Sequence, residues 1–305
     1  MKLSNVYKFI KKVLIRRNLM QFTNIHSLYI DSNRSKINNI NYLLNNYSEL
    51  NKSEDLSSKE FQIFSQNGED GIILHLLKEL QIRQNKCIEI GAGGVSSNIL
   101  NLNLNFGFES VFLDGDSKAL NIQKENKNHL IHNFKNIGKS EYIVNMVIPE
   151  TIQELNKQLR LEDFALCSLD IDGIDYYIFE KLLDYQIPIF VVEYNSLLGV
   201  EKKYSVPLVE NFSRYEYHKS ELVFGASLDA LNYIAEQKNY SLVYCENNGV
   251  NAFFVNNKYI NSEIKKIDPV VGFKENFKFK GMVESNFIDE ISNLLIQVDK
   301  AQDNK

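Results

Sequence analysis

Residues 87–94 read Cys-Ile-Glu-Ile-Gly-Ala-Gly-Gly, and this stretch decides the fold of the chain. Its first four residues form a short apolar run typical of a buried strand, with one acidic residue, Glu89. The glycines that follow allow a sharp turn and a close approach of the backbone to a ligand. Ser96, Ser97 and Asn98 then open a predicted helix, whose first N–H groups have no partner within the helix. A strand, a glycine turn and a helix in this order are typical of sites for nucleoside cofactors.

Strand-like and helix-like segments alternate along the rest of the core. The pattern predicts further strands at 110–113, 142–147, 164–169 and 188–192, with helices between them. This alternation predicts an α/β fold, with a parallel sheet covered by helices on both faces. Residues 241–245 and 252–255 are two more strands, joined by a turn rich in Asn and Gly. Because they form a hairpin, the last strand must run antiparallel to its neighbour.

The chain divides into three predicted parts: an N-terminal helical extension and linker (1–60), the α/β domain (61–260) and a C-terminal helical extension (261–305). Residues 3–20 have helical spacing of apolar residues and a basic face. They favour a helix packed on the domain with a solvated basic face, with a helix on an anionic membrane surface or on a partner as the alternative. Residues 283–298 are predicted to form one last amphipathic helix, followed by a frayed tail.

Composition limits the class of protein. With 305 residues, 44% of them hydrophobic, the chain can bury a large core. A net charge of −5 argues against nucleic acid as a partner. No apolar run reaches the roughly 18 residues of a membrane span, and Arg16 and Arg17 interrupt the N-terminal apolar segment, so we expect no signal peptide. Cys87, Cys167 and Cys245 lie in apolar runs, which predicts buried free thiols and a cytoplasmic protein.

Acidic residues end four of the predicted strands. They are Glu89, Asp114 with Asp116, Asp170 with Asp172, and Glu193 with Asn195. Ligands of an open α/β sheet bind at the carboxyl ends of its strands. A single acidic residue there is more often a helix cap or a turn residue. Four on one edge would repel one another unless a cation, hydroxyls or amines are bound.

Asp114 follows Gly91 by 23 residues, close to the spacing of about 20 at which an acidic side chain binds a cofactor ribose. Both NAD and S-adenosylmethionine (SAM) meet this condition. Ser96 stands where a dinucleotide fingerprint would have its third glycine, and the terminal hairpin is foreign to a standard dinucleotide-binding sheet. An acidic pocket also suits a cationic sulfonium. SAM is therefore favoured, with an NAD-dependent oxidoreductase or a non-catalytic binding protein on the same fold as alternatives.

The segment 89–93, Asp114 and the final hairpin together resemble the class I SAM-dependent methyltransferases, whose Rossmann-like sheet has seven strands with the last one reversed. Five further motifs resemble a bacterial branch related to FkbM-type methyltransferases, which is associated with the biosynthesis of surface polysaccharides such as capsule. They are Ser65-Gln66-Asn67-Gly68-Glu69-Asp70, Ser168-Leu169-Asp170-Ile171-Asp172-Gly173, Val192-Glu193-Tyr194-Asn195, Phe224-Gly225-Ala226-Ser227-Leu228 and Gly249-Val250-Asn251-Ala252-Phe253-Phe254-Val255. The resemblance covers about residues 61–256. One departure is Val95, which stands where the family often has a further glycine.

The resemblance implies a set of cofactor-binding residues. Glu89 and the backbone at Gly91, Ala92 and Gly93 would hold the methionine part of SAM, and Asp114 would hold its ribose. The neighbourhood of the adenine is expected in the segment 140–147.

The next two strand ends supply the candidate catalytic residues. We interpret Asp170 and Asp172 as the groups that orient or deprotonate an acceptor, and Glu193 and Asn195 as hydrogen-bond partners for sugar hydroxyls. The same oxygen set would suit Mg²⁺, although carboxylates around bound SAM and a polyol need no ion. The leading hypothesis is O-methylation of a carbohydrate or polysaccharide-linked hydroxyl. Methylation of another oxygen or nitrogen, such as a phosphate-derived substituent, would share every feature above.

Two segments each have two alternative predicted roles. The polar turn 65–70 either caps the helix that follows, with Glu69 and Asp70 in its first turn, or lines the ligand pocket. The aromatic-rich insertion 200–224 is either a lid over the acceptor or a loop packed on the edge of the sheet.

Overall fold

The structure is a computed structural model that describes residues 55–301. The prediction for residues 3–20 lies outside the described residues. Of the tail predicted to fray after Asp299, Lys300 and Ala301 are helical, and the rest lies outside the described residues. Within residues 55–301, no helix is long and apolar enough to cross a membrane.

The strands of the described chain form one large sheet and one small one. They are β1 (Lys86–Ile90), β2 (Glu109–Asp114), β3 (Ser140–Val144), β4 (Leu166–Leu169), β5 (Ile189–Glu193), β6 (Tyr204–Ser205), β7 (Tyr240–Cys245), β8 (Asn251–Asn256) and β9 (Ile296–Gln297). The large sheet has seven strands in the order β3-β2-β1-β4-β5-β8-β7, and β6 pairs with β9 in the small one. In the large sheet only β8 is reversed, since it runs antiparallel to both β5 and β7. The α/β fold and the reversed last strand are confirmed.

Helices connect the strands and cover the sheet. They are α1 (Glu69–Glu79), α2 (Leu100–Phe106), α3 (Ser117–Leu130), α4 (Ile152–Leu159), α5 (Asp175–Leu182), α6 (Arg214–Tyr217), α7 (Leu228–Gln237), α8 (Pro269–Gly272), α9 (Phe277–Lys280), α10 (Phe287–Ile291) and α11 (Val298–Ala301). Pro149 begins a 3-10 turn that leads directly into α4, as the sequence predicts.

The core lies between the sheet and its helices. Phe179 of α5 contacts Phe190 of β5 and Phe254 of β8, with ring centroids 5.3 and 5.1 Å apart. All three rings are fully buried, which holds the reversed strand to the parallel part of the sheet. Cys87, Cys167 and Cys245 are buried free thiols, as predicted.

The strand order places an opening at one point of the sheet edge. From β1, the chain proceeds to β2 on one side, and β4 lies on the other side of β1. The connections therefore diverge beyond the carboxyl ends of β1 and β4, which is where open α/β sheets bind their ligands.

Three predicted boundaries are corrected. The helix after the glycine turn begins at Leu100 because the Ser97 hydroxyl accepts the backbone N–H groups of Ile99 and Leu100, at 3.2 and 3.1 Å. Strand β3 ends at Val144 rather than at 147, and the predicted single helix at 283–298 is wrong.

In place of that helix, α10 and a 3-10 turn are followed by an extended segment. The backbone of Leu295 is extended, and β9 pairs antiparallel with Tyr204 and Ser205 of β6. The Tyr217 hydroxyl also donates to the carbonyl of Leu294 at 2.7 Å. The C-terminal segment is therefore joined to the insertion at 200–224, which a continuous helix would not allow.

Candidate active site at the carboxyl edge of the sheet

The glycine turn lies directly against two strand ends. Gly91 has φ of +88°, and a β-carbon at this position would overlap the carbonyl oxygen of Asp170. A β-carbon at Gly93 would lie 2.7 Å from the Oδ2 atom of Asp114. The N–H groups of Gly91 and Ala92 both donate to the carbonyl of Leu113, at 2.9 and 3.0 Å. Glycine is therefore required at 91 and at 93 for the turn to sit this close to β2 and β4.

A cavity of about 700 Å³, here called cavity A, opens beside this turn. It is lined by the turn, by the ends of β2 and β4, and by side chains of the segments 145–148 and 211–215. Its volume is in the range usual for small-molecule sites. The predicted residues Gly91, Gly93, Asp114, Asp170 and Asp172 all line it.

Asp114 is half-buried at the end of β2. Loss of solvent raises the pKa of its carboxyl, and the hydrogen bond from the Asp116 N–H, at 2.7 Å, opposes this rise. Its position beside Gly93 brings together two of the residues predicted to bind the cofactor. A carboxylate here can accept hydrogen bonds from two neighbouring hydroxyls of a ligand.

Glu89 lies behind the turn rather than in cavity A. Its carboxylate accepts hydrogen bonds from the Ser97 hydroxyl and, at 2.7 Å, from the N–H of Asn98. Burial raises the pKa of Glu89 to about 7. The side chain therefore fastens the start of the 97–100 segment to β1, and Ala92 is likewise buried. Contact of these two residues with a cofactor stays a prediction.

Three of the four predicted catalytic residues lie together. One oxygen atom from each of Asp170, Asp172 and Glu193 falls within 4.8 Å of the others. Burial and, second, the charge of Asp172 together raise the pKa of Asp170 to about 7. Burial also raises the pKa of Glu193 well above its usual range, with a further rise from the neighbouring Asp170. Two carboxyls this close cannot both ionise easily, so the pair retains one proton near neutral pH, which Glu193 carries in a hydrogen bond to Asp170.

Asn195 does not join this group. Its side-chain amide donates to the carbonyls of Leu222 and Phe224, at 2.9 and 3.0 Å. Its oxygen accepts the N–H of Leu197 at 3.1 Å. Asn195 lines neither cavity of this edge and instead fixes the backbone at 222–224. Its predicted contact with an acceptor stays a prediction.

A second cavity of about 520 Å³, here called cavity B, lies on the other side of the acidic group. Asp170, Asp172 and Glu193 line it together with the amides of Gln66, Asn67, Asn248 and Asn276 and with the rings of Phe277 and Phe279. Asp170 and Asp172 line both cavities, so the two cavities meet at these carboxylates.

The turn 65–70 meets its two predicted roles unequally. Glu69 and Asp70 lie in the first turn of α1 as predicted, but no side chain caps the helix, whose N-cap is Gly68. Asp70 is buried, and its carboxylate accepts the N–H groups of Ile63, Phe64 and Ser65, each at 2.8 Å. Asp70 therefore braces the start of α1. Gln66 and Asn67, at the tip of the turn, line cavity B.

Arg214 is a site residue that the sequence reasoning missed. It forms an ion pair with Asp172, lines both cavities, and lies over the ring of Phe224 with its guanidinium carbon 3.8 Å from the ring centroid. The available signal was a lone arginine within the aromatic segment 212–217. Its partner, Asp172, is 42 residues away in the sequence, so sequence spacing alone did not predict a contact between Arg214 and Asp172.

The acidic group has the chemistry of a magnesium site, since its three carboxyls could offer oxygen ligands. However, Arg214 already neutralises Asp172, and Asp170 and Glu193 share a proton. A divalent cation at this position stays a prediction.

Comparisons with known proteins found only distant structural similarity. No family model matches the chain, and no curated protein matches it in sequence. Similar solved structures include an O-methyltransferase from Bacillus cereus in complex with S-adenosylhomocysteine (SAH), at 13% identity and a TM-score of 0.38, covering 73% of this chain and 89% of that one.

Two further solved structures are similar to the chain at a comparable level. The N-terminal domain of EvdMO1 with SAH bound has 14% identity and a TM-score of 0.39, covering 63% of this chain and 80% of that one. A SAM-dependent methyltransferase from Methanosarcina mazei has 10% identity and a TM-score of 0.33, covering 57% of this chain and 92% of that one. At such low identities and TM-scores, none of these structures transfers an activity or a residue's role to this chain.

Proposed function

We propose that this protein is a SAM-dependent O-methyltransferase that acts on a carbohydrate hydroxyl. The main support is the pair of cavities that meet at Asp170 and Asp172. Transfer of a methyl group requires the donor and the acceptor to approach end to end, with the reacting atoms about 3–3.5 Å apart. Two cavities that share one acidic boundary provide that arrangement.

Cavity A suits the donor. The glycine turn lets the backbone approach a ligand, and Asp114 is placed to accept hydrogen bonds from ribose hydroxyls. The sheet also favours SAM over NAD, because a standard dinucleotide-binding sheet has the order 3-2-1-4-5-6, whereas a reversed strand stands next to β5 here.

Asp170 suits the role of general base. Its pKa, raised to about 7, lies where a base is both ionised and effective at neutral pH. As the acceptor oxygen bonds to the methyl carbon, the carbon–sulfur bond breaks and its electron pair stays on sulfur. The hydroxyl proton passes to Asp170, whose carboxylate Glu193 holds in place by a hydrogen bond. SAM supplies the activated methyl group, so these residues need only position the acceptor and take its proton.

Cavity B suits a sugar. Its amides and carboxyls can bind several hydroxyls, and the rings of Phe277 and Phe279 can contact the apolar faces of a pyranose. A role in the biosynthesis of bacterial surface polysaccharide, in the manner of FkbM-type enzymes, is part of this proposal. So is a cytoplasmic reaction, which suits the three buried thiols. A phosphate-bearing acceptor is the second candidate, because Arg214 and Lys278 also line this cavity.

Calorimetric titration of the full chain with SAM, SAH and NAD tests the choice of cofactor. We expect SAM and SAH to bind and NAD not to bind; binding of NAD alone would overturn the proposal. Transfer of a labelled methyl group from SAM to a panel of neutral, acidic and phosphorylated sugars then tests the acceptor. Methylation confined to non-sugar oxygens or nitrogens would contradict the carbohydrate part alone.

A further inference from the structure

Arg214 is held firmly before any ligand binds. Its Nε–H donates to the carbonyl of Glu221 at 2.7 Å, its guanidinium lies over the buried ring of Phe224, and it forms an ion pair with Asp172. Only 12% of its side chain is exposed. A guanidinium fixed by a carbonyl, a ring and a carboxylate loses little further freedom when a ligand arrives.

The partner of Arg214 has a left-handed backbone. Asp172 has φ of +54°, in a region that glycine, asparagine and aspartate adopt more readily than other residues. This backbone directs the Asp172 carboxylate to the boundary of the two cavities, where the ion pair retains it.

The ion pair sets the charge at the boundary of the cavities. Without Arg214, the charges of Asp172 and of the Asp170–Glu193 pair would together face the donor. A methyl donor with a sulfonium loses its positive charge as the methyl group leaves. Negative charge beside it therefore stabilises the reactant more than the transition state, which slows the reaction.

We infer that Arg214 is a positioning and charge-balancing residue, which offsets Asp172 so that the acidic group does not over-stabilise the cationic donor. This inference rests on the proposed function, since it requires SAM in cavity A. It predicts that the ion pair controls the ratio of the affinities for SAM and SAH, because these two ligands differ by one positive charge on sulfur.

The test is calorimetric titration of SAM and SAH with wild-type protein and two variants of the ion pair. In Arg214→Gln an unbalanced carboxylate remains, so the preference for SAM over SAH should rise about fivefold, as expected for one partly screened charge. In Asp172→Asn an unbalanced guanidinium remains, so the preference should fall by a similar factor. Asparagine tolerates the left-handed backbone at this position, which favours normal folding of the second variant.

Opposite shifts in the two variants distinguish charge balance from a structural role, because loss of a merely structural contact would weaken both ligands alike in both variants. Arg160→Gln is the matched control: this arginine is exposed, precedes β4 at the other end of the sheet and pairs with Asp163. It should leave the ratio unchanged. Unchanged ratios in both ion-pair variants, or shifts of the same sign, would overturn the inference. Failure of the wild-type protein to bind either ligand would instead refute the proposed function.

Discussion

The backbone of Gly91 lies so close to the carbonyl of Asp170 that no side chain fits between them. This contact joins the turn after β1 to the end of β4, and thereby brings the glycine turn to the acidic group. The N–H of Asp170 in turn donates to the carbonyl of Ile90 at 3.0 Å. The geometry of the candidate site therefore depends on the absence of a β-carbon at Gly91.

Gly91→Ala should be strongly destabilising. It combines a left-handed backbone with a steric overlap that only movement of β4 could relieve, and we expect a loss of about 3 kcal/mol or more. The measurement is chemical denaturation. Gly94→Ala is the matched control, because Gly94 also has a positive φ, +123°, but no atom lies within 4 Å of the added carbon. An equal loss in the two variants would show that the contact with Asp170 is unimportant.

Asp114→Ala should weaken the binding of SAM without unfolding the protein. Hydrogen bonds to a charged group contribute about 1.5–3 kcal/mol, which corresponds to roughly a 10- to 150-fold loss of affinity in calorimetry. The control is Asp184→Ala, which removes an exposed carboxylate that pairs with Lys238 and lines neither cavity. Unchanged affinity in Asp114→Ala would remove this residue from the donor site.

Asp170→Asn should abolish methyl transfer while the circular dichroism spectrum stays that of the wild type. In the wild-type protein the base must be ionised, so kcat/KM should fall as the pH drops below about 7. Asp172→Asn removes a negative neighbour that raises the pKa of Asp170, and should move this fall to lower pH. Full activity of Asp170→Asn would exclude this carboxyl as the base.

The buried carboxyls should make the protein less stable as the pH rises. Burial raises the pKa of Glu89 to about 7 and that of Asp70 to about 6, so the native state binds more protons than the unfolded chain between about pH 4 and 7. Their contribution to stability is therefore complete below about pH 4 and is lost as the pH passes 6 to 7. Thermal denaturation at pH 5.5 and pH 8 measures this, and a higher midpoint is expected at pH 5.5.

Glu193→Gln tests the contribution of a single buried carboxyl to the pH dependence of stability. It replaces a carboxyl whose pKa burial and Asp170 raise, so it should increase the midpoint at pH 8 clearly more than at pH 5.5. Each kcal/mol gained corresponds to about 2–4 °C in a chain of this size. An equal shift at both pH values would indicate a packing effect instead of a charge effect.

The fold could be predicted from the sequence because its determinants are local. The glycine turn, the strand ends and the Asn- and Gly-rich hairpin each lie within a few residues, and they predicted the reversed strand. The same reasoning brought Asp170, Asp172 and Glu193 together, since carboxyl ends of parallel strands meet at one edge.

The errors arose where distant segments decide the structure. Leu294 and Leu295 suggested a continuing helix, but pairing of β9 with β6 requires an extended chain there. The hydrogen bonds from the Asn195 amide to the carbonyls of Leu222 and Phe224 were also not foreseen. Arg214 was overlooked because its importance comes from Asp172, which lies in another part of the chain. Sequence spacing alone does not reveal contacts of this kind.

The pairing of β9 with β6 also bears on how the protein is made. The segment that carries Arg214 is held at Tyr217 by the carbonyl of Leu294, and the N–H of Val298 donates to the carbonyl of Lys203. During translation these partners leave the ribosome some 80 to 95 residues after the insertion itself. The nascent chain can thus pair its parallel strands early, but the contacts that hold the segment around Arg214 form only after residues 294–298 have been synthesised.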